Sequence, residues 1–241
     1  MNSLDKYRVL NGNMLKLTGM ITMTVDHAGL ILFPGAAIFR IIGRLAFPIF
    51  AYMISEGAYY TKNRKKYFFM VLGVGVFCQI VMYIASRSLY QCTLITFALS
   101  LLIIFCLQRI KKNHIWIAVT VLVLAATVFF CNGLPAILKG TDFEVDYGLW
   151  GVMLPVLLYI PNLFLKPDDA RCHLVKLPIL AAGLCMVAAA TTSMIWQWWS
   201  LFSVILIALY NGKRGRLNLK YLFYIYYPAH LGILYLIQFI R

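Results

Sequence analysis

Five ionisable side chains interrupt the apolar stretches near the beginning of the chain: Asp26, His27, Arg40, Arg44 and Glu56. His230 interrupts another near the end. A charge inside a membrane span costs at least about 2.5–3.5 kcal/mol, and residues that bear this cost usually mark function. His27 carries the most direct chemical suggestion, because a neutral imidazole can accept a proton from a nucleophile near physiological pH. Asp26 is its neighbour in sequence, so the two side chains leave a helix about 100° apart. Asp26 is therefore expected to pair elsewhere rather than orient His27 as a triad acid would. Arg40 and Arg44 are four residues apart and share a helix face, which calls for an anion, either Asp26 or a group on a substrate. The competing reading is structural: two acids and two arginines sum to zero, and an internal ion-pair network would simply hold helices together. His230 closes the run Tyr226-Tyr227-Pro228-Ala229-His230. Pro228 frees the carbonyl of Tyr224, which marks either a cavity or a packing kink.

The elements that must position these groups are membrane helices. Of 241 residues, 62% are hydrophobic and 12% charged, whereas a soluble domain carries about 45–50% apolar and about 25% charged residues. A spanning helix needs about 20 apolar residues. The pattern predicts an all-α, polytopic transmembrane helix bundle forming a single domain over 1–241, with nine spans. They run over 15–33, 38–60, 67–85, 92–107, 114–131, 147–165, 175–193, 198–210 and 220–240. Turn residues separate them, including Pro34-Gly35, Asn132-Gly133, Pro167-Asp168-Asp169 and Asn211-Gly212. Proline falls inside spans at Pro48, Pro155, Pro178 and Pro228, and neighbours or water must satisfy each freed carbonyl. No internal repeat is visible. The polar Met1–Asn13 segment does not read as a cleavable signal peptide.

Basic residues set the orientation. Seventeen of the twenty-two fall on one face: Lys6, Arg8 and Lys16, followed by a cluster after every second span. These clusters are Lys62 to Lys66, Arg109 to Lys112, Lys166 to Lys176, and Lys213 to Lys220. The opposite face has Arg87, Lys139 and Arg241. Positive residues favour the cytoplasm, so the N-terminus is expected inside and the C-terminus outside. The net charge of +14 is then accounted for by topology and anionic lipid, with attraction of a cytoplasmic anionic ligand as the other contribution. Nothing in it requires nucleic acid. At about 1.5 Å per residue, Asp26, His27 and His230 all lie roughly 15 Å above the cytoplasmic boundary. Glu56 lies about 8 Å in and Arg44 about 26 Å in, with Arg40 near the outer interface.

Other features are weaker. Asn211-Gly212-Lys213-Arg214-Gly215-Arg216 could offer backbone donors and charge to phosphates, or could be an ordinary positive-inside loop. Asp142, Glu144 and Asp146 make an outer acidic patch, either a solvated loop or a surface for a cationic acceptor. His114 and His173 read as ordinary interfacial residues, and Trp196, Trp198 and Trp199 as interfacial anchors. The six scattered cysteines lack metal-ligand spacing, and no metal site is expected.

At both ends the chain resembles the TraX family of integral membrane acyltransferases, named for the conjugative pilin N-acetylase. The matching stretches are Lys16-Leu17-Thr18-Gly19, Met23-Thr24-Val25-Asp26-His27, Arg44 through Ala51, Glu56-Gly57 and Thr61-Lys62-Asn63-Arg64. Tyr210 through Gly215 and Tyr226 through His230 are similar to its closing motifs. The Lys16–His27 separation also resembles the Arg-to-His spacing of a wider superfamily of membrane O-acyltransferases, with lysine in place of arginine. The resemblance implies an acyl-CoA donor, acetyl-CoA, entering from the cytoplasm, and a multi-pass protein of the bacterial cytoplasmic membrane. His27 would be general base or transient acyl carrier, and Asp26 would tune the site through a partner. Arg44 or Tyr227 would stabilise the oxyanion, His230 would assist proton movement, and Glu56 completes the catalytic candidates. Lys16, Arg40, Lys62, Arg64, Lys65, Asn211, Lys213 and Arg214 would meet the coenzyme. The acceptor would be a protein N-terminus or a cell-envelope glycan, acylated on an amine or hydroxyl. The rival functions are a transporter or flippase built on the intramembrane polar column, and a non-catalytic assembly factor.

Overall fold

A computed structural model describes residues 7–167, 169–191, 195–216 and 220–240. Lys6 and Arg241 of the basic pattern, and Asp168 of the turn at Pro167-Asp168-Asp169, lie outside the described residues. The described residues are mostly helical, with no strand among them. Two isolated parallel bridges, Leu10 to Tyr210 and Gln91 to Val145, are the β pairing they contain.

Six helical stretches are long and apolar enough to cross a membrane, where the sequence predicts nine. They are Ala37–Tyr60, Arg64–Ser86, Thr93–Ile110, Ile115–Ile137, Ala170–Ala190 and Tyr221–Ile240. Three further helices occupy the other expected positions. Gly148–Leu163 and Ile195–Ala208 are shorter, and α1, Gly12–Ile31, carries Lys16, Asp26 and His27, which lower its hydropathy. The burial pattern is that of a chain solvated by lipid: in Ile115–Ile137 only 17% of an apolar window is buried. No water-soluble helix leaves such a surface uncovered.

The described chain divides into two compact units, one of Met1–Met53 with Lys166–Arg241 and the other of Ile54–Leu165. In the first unit, α1 packs against α2 (Ala37–Gly43) and α11 (Lys220–Ile240). There, α9 (Ala170–Ala190) packs against a 3-10 helix, Ile195–Phe202, and the short α10, Ser203–Ala208, that follows it. In the second unit α5 (Thr93–Ile110) is central, contacting α4 (Arg64–Ser86), α6 (Ile115–Val128) and α8 (Gly148–Tyr159).

Two departures from the predicted spans have proline as their cause. The predicted span over 38–60 is present as the stretch Ala37–Tyr60, interrupted internally at Arg44 and Leu45 between α2 and α3 (Ala46–Tyr60). Pro48 has no N–H for the carbonyl of Arg44 and its ring collides with that carbonyl, so the helix breaks four residues earlier. The break leaves Arg40 in the last turn of α2, where a cation suits the helix dipole. Beyond α6, the chain does not turn at Asn132-Gly133. It continues through a π-helical turn, Phe129–Gly133, in which the Leu134 N–H reaches the Phe129 carbonyl, and on into α7, Leu134–Ile137. The wider turn accommodates Pro135, which cannot serve the Cys131 carbonyl.

Candidate active site

The first unit holds an ion-paired clamp. One carboxylate oxygen of Asp26 accepts from Arg44 Nη2 at 2.7 Å, and the other accepts from the same nitrogen at 2.8 Å and from Arg40 Nη1 at 2.9 Å. Arg44 also donates from Nη1 to Gln197 Oε1 at 3.3 Å and from Nε to the Arg40 carbonyl at 3.4 Å. The side chain of Arg44 is 5% exposed and that of Asp26 14%, so the pair sits where screening is weak. Gly43 makes this approach possible: a Cβ there would lie 2.2 Å from Asp26 Cβ. Two cations against one anion leave the cluster with a net charge of +1.

One residue on from Asp26, His27 meets the second sequence-predicted histidine. Its Nδ1 lies 2.8 Å from His230 Nε2, with ring centroids 5.0 Å apart. His230 Nδ1 lies 2.9 Å from the Tyr226 carbonyl. A carbonyl can only accept, so His230 carries its proton on Nδ1. With both rings neutral, His230 Nε2 accepts and His27 Nδ1 donates, which leaves His27 Nε2 with a bare lone pair. His27 is half-buried and His230 buried. Aromatic packing fixes His230: Tyr226 stacks on it at 5.2 Å and 11°, and Tyr227 meets it edge-on at 5.9 Å. Tyr226 in turn hydrogen-bonds Thr24 across to α1.

The start of α1 meets the Asn211–Arg216 loop. Asn11 caps the helix, its side chain accepting from the N–H groups of Asn13 and Met14. The Gly12 and Asn13 N–H groups donate to the Lys213 and Arg214 carbonyls at 2.7 and 3.1 Å. The loop thus turns carbonyls toward α1, and its expected backbone donors are not what it offers there. Gly215 is essential to this turn, since it has φ +87° and a Cβ would lie 2.7 Å from Asn11 Oδ1 and from Asn13 Nδ2. The Lys213 and Arg214 side chains are exposed. Lys16, half-buried, lies near enough to Arg214 for the two charges to repel, and Asn211 Oδ1 accepts from the Lys213 N–H at 2.9 Å.

Several groups read as ordinary, or not singled out, are organised by the tertiary structure. His173 is buried rather than interfacial: Tyr52 Oη lies 3.0 Å from its Nδ1 and the Ala208 carbonyl 3.3 Å from its Nε2. Lys176, counted on the basic face, is 1% exposed with its Nζ 5.3 Å over the Tyr52 ring. In the second unit Glu56 is buried, and Lys62, Arg64 and Lys65 are exposed at the α3–α4 turn. The acidic patch there borders an open cavity of about 500 Å³ lined by Tyr90, Cys131, Asn132, Asp142 and Glu144 among others. Two of its three carboxylates, Asp142 and Asp146, are tethered. Asp142 accepts from Ser88 Oγ and the Leu89 N–H, which holds its carboxyl below the usual aspartate range. Asp146 accepts from Tyr90 Oη at 2.7 Å, and burial with that neighbouring charge pushes the Tyr90 phenol up.

A family model described as TraX protein matches residues 11–238, a span that includes every site residue above. The chain belongs to the TraX family. This TraX-family chain is 23% identical over 246 residues to the probable fimbrial assembly protein FimC, serogroup H1, of Dichelobacter nodosus. The alignment covers 91% of this chain and 92% of that protein. A shorter segment of 47 residues is 45% identical to an uncharacterized protein of Rickettsia prowazekii (strain Madrid E), covering 20% of this chain and 19% of that one. No solved structure matches it. Family and apolar helices together make it a multi-pass protein of the bacterial cell membrane.

Proposed function

We propose that this TraX-family protein is an acyltransferase that moves an acetyl group from cytoplasmic acetyl-CoA to an amine or hydroxyl acceptor in or beyond the membrane. The observation that carries the reading is the His27–His230 pair, whose hydrogen bonds leave a bare nitrogen on a half-buried imidazole beside ionised neighbours. In this reading His27 Nε2 takes the proton of the acceptor N–H or O–H while that heteroatom bonds the thioester carbonyl carbon. Collapse of the tetrahedral species breaks the C–S bond, and the proton passes from His27 to the departing thiolate. His230 holds the productive tautomer. Asp26, Arg40 and Arg44 act on each other first, so their part is to fix α1 against α2, and Arg44 has its donors engaged away from the acyl oxygen. Tyr227, edge-on to His230, stays a candidate donor to it.

The charge distribution supports the choice of donor. Lys16 and Arg214 lie near enough for their charges to interact, with exposed Lys213 beside them, a concentration of positive charge that a polyanionic phosphate ligand would favour. Lys62, Arg64 and Lys65 add exposed charge in the second unit. For the chain to present these clusters to the cytoplasm, its nine helical stretches would all cross, with the N-terminus inside and the C-terminus outside. The printed name of the Dichelobacter relative suits a protein N-terminus as acceptor, and the tethered outer carboxylates would draw such a cationic end. A cell-envelope glycan is the alternative.

The decisive experiment incubates purified protein with radiolabelled acetyl-CoA. An acyltransferase releases free coenzyme A or acquires label, and His27→Ala loses that activity. A transporter, flippase or scaffold does neither, and the absence of both in the unmodified protein would remove the proposal.

A further inference from the structure

The helix Ile195–Phe202 holds 3-10 geometry for eight residues, where runs beyond three or four are uncommon. With three residues per turn, side chains at i and i+3 eclipse, so Gln197, Ser200 and the next such residue, Ser203, form one stripe. All three are 0% exposed, while Trp196, Trp198 and Trp199 are exposed. The helix thus turns its polar groups toward protein and its indoles outward, as contact with lipid requires. Ser203 Oγ is satisfied by the Ser200 carbonyl at 2.6 Å. Gln197 Nε2 and Ser200 Oγ are buried with no hydrogen-bond partner. Each such group has lost its water without gaining a partner, and native proteins contain few. Two on one stripe, about 6 Å apart along the axis, beside a buried guanidinium, are groups that folding alone does not explain.

Their chemistry restricts the ligand. Gln197 Oε1 is taken by Arg44, so the amide is oriented and its NH2 is left to donate. Ser200 adds a hydroxyl donor. The adjoining Arg40 and Arg44 guanidinium groups favour an oxygen gaining negative charge and disfavour an ammonium group. Through Arg44 the stripe adjoins Asp26, the residue next to His27. We propose that Gln197 Nε2 and Ser200 Oγ hold the thioester carbonyl oxygen of the acyl donor and stabilise it as an oxyanion, an inference that rests on the acyl-transfer reading. As the acceptor heteroatom bonds the carbonyl carbon, the π pair moves onto the oxygen facing these two donors. When the carbonyl reforms, the pair returns and the C–S pair leaves with sulfur.

Two substitutions separate this role from a structural one. Gln197→Glu keeps an oxygen for Arg44 but removes both amide protons, and Ser200→Ala removes a hydroxyl without stranding a partner. Full-length protein carrying His27→Ala, which holds the donor without turnover, is mixed with acetyl-CoA bearing carbon-13 at the thioester carbonyl and examined by infrared difference spectroscopy. The bound carbonyl band is expected at lower frequency than in water, with the shift reduced by either substitution. With His27 restored, each substitution is expected to lower kcat about 10²–10³-fold and to leave KM within about twofold. A bound band at its solution frequency, or one that neither substitution moves, overturns the donor pair and leaves the acyl-transfer reading standing. Absence of any bound thioester band overturns both.

Discussion

At the residue scale the site consists of two arrangements with different tolerances. The histidine pair is a matter of tautomer. His230→Gln keeps an oxygen that can accept the His27 Nδ1 proton, and His230→Leu does not, so glutamine should retain clearly more acetyl transfer than leucine. On the acyl-transfer reading, His27→Ala should cost about 10²–10⁴-fold, the usual worth of a general base, read as the rate of coenzyme A release. The Asp26 clamp is a matter of charge. Asp26→Ala removes the carboxylate that both guanidinium groups share and should destabilise the protein by about 3–5 kcal/mol, seen as a large fall in Tm. Arg40→Gln should cost far less, because the Arg40 side chain is 24% exposed and Arg44 still holds both carboxylate oxygens. The positions of Asp26, His27, Arg40, Arg44 and His230 are legible in sequence because charge and imidazole stand out against leucine and phenylalanine. Thr24, Gln197, Ser200 and Tyr226 are not, since uncharged polar residues are ordinary in helical bundles and acquire meaning only through their neighbours.

At the element scale, helix type and approximate extent follow from composition, whereas the breaks and close approaches depend on partners. Pro48 is visible in the sequence, but whether a membrane helix bends, widens or breaks at proline depends on which groups can take up the freed carbonyl. The chain breaks before Pro48, widens before Pro135 and runs on through Pro228. Gly43 gives no sign of its role until α1 lies against it. Gly43→Ala should drive a methyl into Asp26, loosen the α1–α2 contact and lower stability by about 1–3 kcal/mol, measured by thermal unfolding in detergent. In the second unit the Ser88–Leu89 connection is tied to Asp142. The folded carboxyl titrates below its unfolded value, so its contribution is present above the ordinary aspartate range and is lost as pH falls through the folded value. Hydrogen exchange at Leu89 should therefore accelerate relative to the neighbouring helices on acidification below about pH 4, and Asp142→Asn should remove that dependence.

At the scale of the whole molecule, the alternation of basic clusters predicts which loops face the cytoplasm. In intact cells, a membrane-impermeant thiol reagent should label Thr141→Cys, in a loop of the second unit expected outside, and should leave Asn113→Cys unlabelled until the membrane is opened. Labelling in the reverse order would invert the topology, and with it the cytoplasmic entry of the donor. The native cysteines of the second unit are buried, so the background should be low.

The sequence by itself determined the solvent of this protein, its helical class, and the handful of charged and imidazole groups too costly to leave unpaired in lipid. Those properties are additive along the chain, and no fold is needed to sum them. The tertiary structure decided the pairings: Asp26 with two arginines rather than with His27, His27 with His230 across more than two hundred residues, and Gln197 against Arg44. Pairing energy depends on distance and orientation between helices that are remote in sequence, and hydropathy contains neither.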